Sequence, residues 1–167
     1  MPPRVTGMST ARKEYFLLVA GLVLLIVTGV AVYYIQRAPN RSRDMAQVSS
    51  IVTNFGSYQK SISLQADEEL LKSDIQSNYG QFVTDSLLQE WRADPKHAPG
   101  RLATSPWPDR IEIDSISPQG AGYVVSGRMI MLTSAGESSE VPVVMMLIQE
   151  NGEWQIAVYQ EAANPSA

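Results

Sequence analysis

Few residues in this chain have the types and spacing that chemistry needs. There is no cysteine and a single histidine, so thiolate nucleophiles, disulfides and zinc-thiolate sites are excluded together. His97 stands beside Lys96 in a stretch rich in proline and glycine, which reads as an exposed or loop-packing position. Any metal site would have to be built from carboxylates alone, and the densest group, Asp67-Glu68-Glu69, sits where acids favour a helix N-terminus. No glycine-rich phosphate loop, nucleophile elbow or paired-histidine motif occurs, and the expectation is no catalytic set, no metal and no cofactor. One acid-base arrangement remains, a carboxylate base with a tyrosine as oxyanion donor inside an apolar interior. Asp85 or Asp114 would be the base and Tyr79 or Tyr123 the donor. Their settings argue for ordinary duties: Asp85 in a helix's first turn, Asp114 on the exposed side of a strand, and the tyrosines in the core.

The most distinctive short segment is Ser105-Pro-Trp-Pro-Asp-Arg110, where prolines flank a large aromatic and an opposite-charge pair follows. It is a candidate interaction loop presenting Trp107, Asp109 and Arg110 to a partner. The competing reading is a rigid lead-in to the first strand, with Trp107 plugging one end of the core. Met129, Met131, Met145 and Met146 are adaptable contact surface or, more ordinarily for alternating strands, core.

The elements that would position these residues come in two blocks. From Met45 to about Leu64, Val48, Ile51, Val52, Phe55, Tyr58 and Ile62 recur at three- and four-residue spacing, which predicts a long amphipathic helix. A second helix follows the acids at 67–69 and stacks Leu71, Ile75 and Tyr79 or Asn78 on one side until Gly80. A third starts at Thr84, an N-cap residue, carries Leu87, Leu88 and Trp91, and stops at Asp94-Pro95. Residues 93–108 hold Pro95, Pro99, Gly100, Pro106 and Pro108 and predict a long loop, with Leu102 and Trp107 holding it down. Beyond it the period changes to alternation: Ile111 and Ile113 against Glu112 and Asp114, then strands at Tyr123–Thr133, Glu140–Gln149 and Glu153–Gln160. Asn151-Gly152 signals a type I′ hairpin, since both central residues need positive φ. Both faces of these strands are apolar for part of their length, so one should take the helices and the other invite a partner, a second layer or a pocket.

Ahead of this block, Tyr15 to Ile35 forms an uncharged run that as a helix would span about 30 Å, the hydrocarbon thickness of a bilayer. Tyr15, Phe16, Leu17, Leu24, Leu25, Ile26, Tyr33, Tyr34 and Ile35 are the anchor residues, the tyrosines at its interfaces. A signal peptide cleaved after the small residues Gly29 and Ala31 competes with this reading, but the apolar run continues past that site and ends in aromatic and basic residues. Arg4, Arg12 and Lys13 before the run balance Arg37, Arg41 and Arg43 after it, so charge leaves the orientation undecided. The short N-terminal part and long C-terminal part favour an exported domain.

The expected organisation is a tail over 1–14, the transmembrane helix over 15–35, a connector over 36–44, an extracytoplasmic domain over 45–161, and a disordered tail over 162–167. Residues 36–167 carry ten Lys/Arg and sixteen Asp/Glu, a net of −6, with no basic stripe to track nucleic-acid phosphates. The expected partners are the bilayer and other proteins or copies of itself, not nucleic acid. About 120 residues suffice for one core and not for two.

The helical half with Tyr79-Gly-Gln-Phe-Val-Thr-Asp-Ser-Leu-Leu-Gln-Glu-Trp91, followed by four meandering strands closing on Asn151-Gly-Glu-Trp-Gln-Ile156, resembles the nuclear-transport-factor-2-like superfamily. That resemblance implies an α+β fold, three helices packed on a curved four-stranded antiparallel sheet that makes a cone. With an N-terminal membrane helix, the layout is similar to the VirB-type inner-membrane scaffold subunit of type IV secretion and conjugation machines. It implies a non-enzymatic interaction or scaffold domain outside the cytoplasmic membrane of a bacterium. The alternative is a small-molecule-binding protein or isomerase-like enzyme using the cone interior.

Overall fold

The computed structural model describes residues 41–161. The expected 15–35 anchor, the 1–14 tail, the start of the connector and the 162–167 tail lie outside the described residues. Among the described residues no helix is long and apolar enough to cross a membrane. Asp44 onward belongs to one compact unit, an α+β arrangement of three helices against an open four-stranded antiparallel sheet.

Helix α1 runs over 41–58, so it already includes residues 41–44, and it tightens into a 3-10 turn at Gln59–Ser61. Val48, Val52, Phe55 and Gln59 are fully buried at four-three-four spacing. Tyr58, expected on that face, is instead 38% exposed, because eleven residues advance the helix by about three turns and bring position 59, not 58, back under Val48. Ile62 is buried but lies past the turn, in extended backbone. Gly56 faces the first strand: a Cβ there would lie 2.7 Å from the Ile111 backbone nitrogen, so only glycine lets helix and strand approach this closely.

Helix α2 spans Glu68–Tyr79, and the Asp67 carboxylate caps it by accepting from the Glu69 N–H at 3.1 Å. Glu68 and Glu69 then pair with Lys72. Helix α3 spans Asp85–Ala93, capped by Thr84 Oγ1, which accepts from the Leu87 N–H. Both helices bury the predicted stripes, Leu71, Ile75 and Tyr79 in one, Leu87, Leu88 and Trp91 in the other.

The sheet is a meander ordered β1 (Trp107–Gln119), β2 (Gly122–Leu132), β3 (Ser138–Glu150) and β4 (Glu153–Glu161). Asn151 (φ 54°) and Gly152 (φ 86°) make the predicted hairpin turn. Val125, Met129, Val143, Met145, Leu147 and Ile156 point to the helices and are buried. A register shift in β4 skips Ala157, since Ile156 pairs with Leu147 and Val158 with Met146. The shift turns Tyr159 toward the helices and Val158 away.

Two main-chain seams tie the irregular segments to this frame. Ile156 N–H donates to Phe82 O at 2.8 Å and Thr84 N–H to Ile156 O at 3.0 Å, fixing the α2–α3 corner to β4. Arg101 N–H donates to Ile62 O at 2.7 Å and Leu64 N–H to Arg101 O at 3.0 Å, fixing the long loop to the chain that leaves α1. The loop is therefore held by backbone bonds and not by Leu102, which is 70% exposed. Nor does Trp107 plug a core end; it opens β1, half-buried, paired in register with Leu132.

Replacing Gly56 by alanine should cost about 1–3 kcal/mol through overpacking against β1, even though alanine is the better helix former. Urea denaturation of Gly56→Ala checks this, and a midpoint at or above wild type would refute the close approach.

Candidate functional site

Among the described residues a groove opens at the end where α1 finishes and β4 ends. About 290 Å³ in size, it is lined by Met129, Met131 and Val141 from the sheet, by Pro106 from the loop and Pro108 from β1, and by Gln59 and Glu161. A neighbouring cleft of about 280 Å³ shares Gly100, Leu102 and Glu161 with it and adds Trp91, His97 and Tyr159.

A short polar relay crosses this region. Gln59 Nε2 donates to the Tyr159 hydroxyl at 3.3 Å, and that hydroxyl donates to Glu161 Oε1 at 2.8 Å. Burial, with Glu161 adding repulsion for a phenolate, holds the Tyr159 hydroxyl well above its usual pKa. Tyr79 is pushed up in the same way, by burial first and the Glu161 charge second, and its hydroxyl donates to Pro99 O at 2.5 Å. Both tyrosines are therefore neutral donors whose protons are already committed to protein acceptors. They anchor the loop and the end of β4 to the core.

The residues that the sequence offered for acid-base work are not brought together. Asp85 is exposed at the start of α3, where its N–H donates to Glu150 Oε2 at 3.3 Å. Asp114 lies on the outward sheet face, 3.1 Å from Arg128. Tyr123 packs edge-on against Trp154, their centroids 5.1 Å apart, while Tyr79 belongs to the aromatic cluster around Phe55. His97 is exposed and pairs with Asp94 at 2.8 Å within the turn Pro95–His97. Among the described residues no group of three or more His, Cys, Asp or Glu is placed to hold a metal ion.

Trp107, Asp109 and Arg110, expected in a loop, belong to β1. A register shift between Pro108 and Arg110 leaves Asp109 as the extra residue. Arg110 is bound on both sides, to Asp109 at 2.9 Å and Glu112 at 2.7 Å. These two carboxylates raise its pKa above the ordinary guanidinium value, the Glu112 hydrogen bond most. Sequence reasoning missed Gln59, Tyr159 and Glu161. A signal existed for Gln59, since it continues the 48–52–55 spacing, but a polar residue beside Tyr58 hides it.

The outward face of the sheet divides into two halves. In one, Arg128 bridges Asp114 at 3.1 Å and Glu140 at 2.9 Å beside the Arg110 group. In the other, Val124 and Val158 flank Met146 in register, with Val144 next along β3. Val144 is 45% and Val158 40% exposed.

No protein-family model and no curated protein matches the sequence. A solved chain named Rd1NTF2_05, in a substituted form, is 14% identical, the match covering 72% of this chain and 99% of that one at a TM-score of 0.39. At that score the two structures overlap only loosely, and the α+β architecture stands on this chain's own strand pairing.

Because the folded state holds Tyr79 and Tyr159 neutral, their stabilising contribution is complete below the unfolded tyrosine pKa of about 10 and is lost as pH rises beyond it. Unfolding midpoints should therefore fall steeply above about pH 10 in wild type and less steeply in Tyr159→Phe. Equal slopes in the two proteins would refute the assignment.

Proposed function

We propose that residues 45–161 are a non-enzymatic interaction domain of the nuclear-transport-factor-2-like type, held outside the cytoplasmic membrane by the 15–35 helix. It assembles through the outward sheet face, foremost with copies of itself, within an envelope complex of the secretion or conjugation kind. The single observation that carries this reading is the apolar half of that face. Val144 and Val158 remain 45% and 40% exposed, with Val124 and Met146 beside them, bordered by the charged half. An apolar centre with a polar border is the composition of a protein contact surface. The order of three helices followed by a four-stranded meander supports the fold type, and the uncharged 15–35 run supports the anchor.

A second reading, small-molecule binding in the groove, is favoured by one observation. The groove of about 290 Å³ joins apolar walls to the polar pair Gln59 and Glu161, the usual make-up of a ligand pocket. The acid-base candidates Asp85 and Asp114 lie outside it, and the Tyr159 hydroxyl is already committed to Glu161.

Mild crosslinking of the full chain in intact cells, compared with Val144→Glu and Val158→Glu, separates these readings. The contact-surface reading expects a discrete crosslinked species that both substitutions abolish while the melting temperature stays within a few degrees, as for exposed positions. A monomer in wild type, or a complex indifferent to both substitutions, would count against it.

A further inference from the structure

The domain is acidic, yet one of its clefts has cations as its only charged lining residues. Lys60, in the turn that closes α1, faces an open depression of about 340 Å³ together with Arg101, Thr104 and Trp107. Among the described residues no carboxylate lies within 4.0 Å of either cation, whereas Lys72, Arg110 and Arg128 each hold at least two. Arg101 is not a loose surface side chain. Both of its main-chain polar groups are bonded to the 62–64 segment, and a Cβ on the preceding Gly100 would sit 3.0 Å from Ile62 O. Among the described residues its Nε is buried without a hydrogen-bond partner. A charged donor withdrawn from water without an acceptor is costly.

We propose that this cleft binds a phosphate monoester carrying a flat apolar substituent. Two cations with no protein counter-charge match a dianion better than a single carboxylate. The guanidinium fork offers paired N–H donors, the ammonium adds a mobile charge, and the Thr104 hydroxyl supplies a neutral donor. The half-buried Trp107 indole gives the substituent an apolar wall. The site is separate from the outward apolar face and from the Tyr159–Glu161 groove, and it stands whether or not the domain self-associates.

The test is tryptophan fluorescence of the full chain in neutral detergent, titrated with phenyl phosphate at constant ionic strength set by chloride. Trp91 and Trp154 are core residues, so the response should come from Trp107 and vanish in Trp107→Phe. A saturable response is expected, weaker for inorganic phosphate and weaker again for benzoate. Lys60→Gln and Arg101→Gln should each lose about tenfold in affinity, the scale of one charge-assisted contact. Lys60 is exposed, so Lys60→Gln should melt with wild type; the bonds that seat Arg101 are main-chain, so Arg101→Gln should melt at or above it, an unpartnered buried charge having been removed. No saturable response, benzoate binding as tightly as phenyl phosphate, or unchanged affinity in Lys60→Gln would overturn the proposal. A response to phosphatidylglycerol vesicles in phosphatidylcholine but to no soluble ester would overturn it as well, placing the phosphate in a lipid headgroup.

Discussion

Phe55 is where the domain's parts are joined. Its ring lies 4.9 Å from Tyr79 of α2, 6.1 Å from Trp91 of α3 and 5.5 Å from Tyr159 of β4, all between centroids. Tilted, stacked and edge-on arrangements all occur around this one side chain, geometries that aromatic quadrupoles favour over face-to-face contact. Each helix thus meets the sheet through the same cluster. The polar groups at the cluster's margin follow from it. The Tyr79 hydroxyl emerges where Pro99 O can receive it, and the Tyr159 hydroxyl emerges between Gln59 and Glu161. The groove, the loop's path and the end of β4 are consequences of where these rings stop.

The same constraint explains which expectations from sequence held. Local signals are readable wherever one residue or one short group decides the backbone: the acids 67–69 as a helix start, Thr84 as a cap, Asn151-Gly152 as a turn, and the buried stripes of α2 and α3. These depend on neighbours within a few residues, so periodicity and cap chemistry capture them. The long loop was harder to read. Its path is set by Arg101 pairing with Ser63 and by Tyr79 reaching Pro99, contacts between distant positions that leave no periodic trace. Trp107, Asp109 and Arg110 look like loop in the sequence for a related reason, because prolines on either side of Trp107 hide a strand that tolerates Pro108 at a register shift.

The candidate site was less legible than the fold. Carboxylates and tyrosines were chosen by type, and the fold sorted them by solvation instead. Asp85 and Asp114 stay in water, one at a helix start and one beside Arg128. The tyrosines, able to bury a ring and still satisfy a hydroxyl, went inside. Cations followed the same division, with Arg110 and Arg128 held by carboxylates on the sheet and Lys60 and Arg101 left facing a cleft.

Ala157 is a single residue on which two surfaces depend. It is the position β4 passes over as pairing moves from Leu147–Ile156 to Met146–Val158. Side chains on a strand alternate with a period of two, so one added or removed residue exchanges the faces of everything beyond it. With Ala157 in place, Tyr159 closes the aromatic cluster and Val158 shows itself to solvent. A strand lacking it would turn the tyrosine outward and bury the valine. The inner lining and the outer patch are thus inherited as one unit, and no path of point substitutions in β4 can redesign one of them by re-registering the strand without rewriting the other.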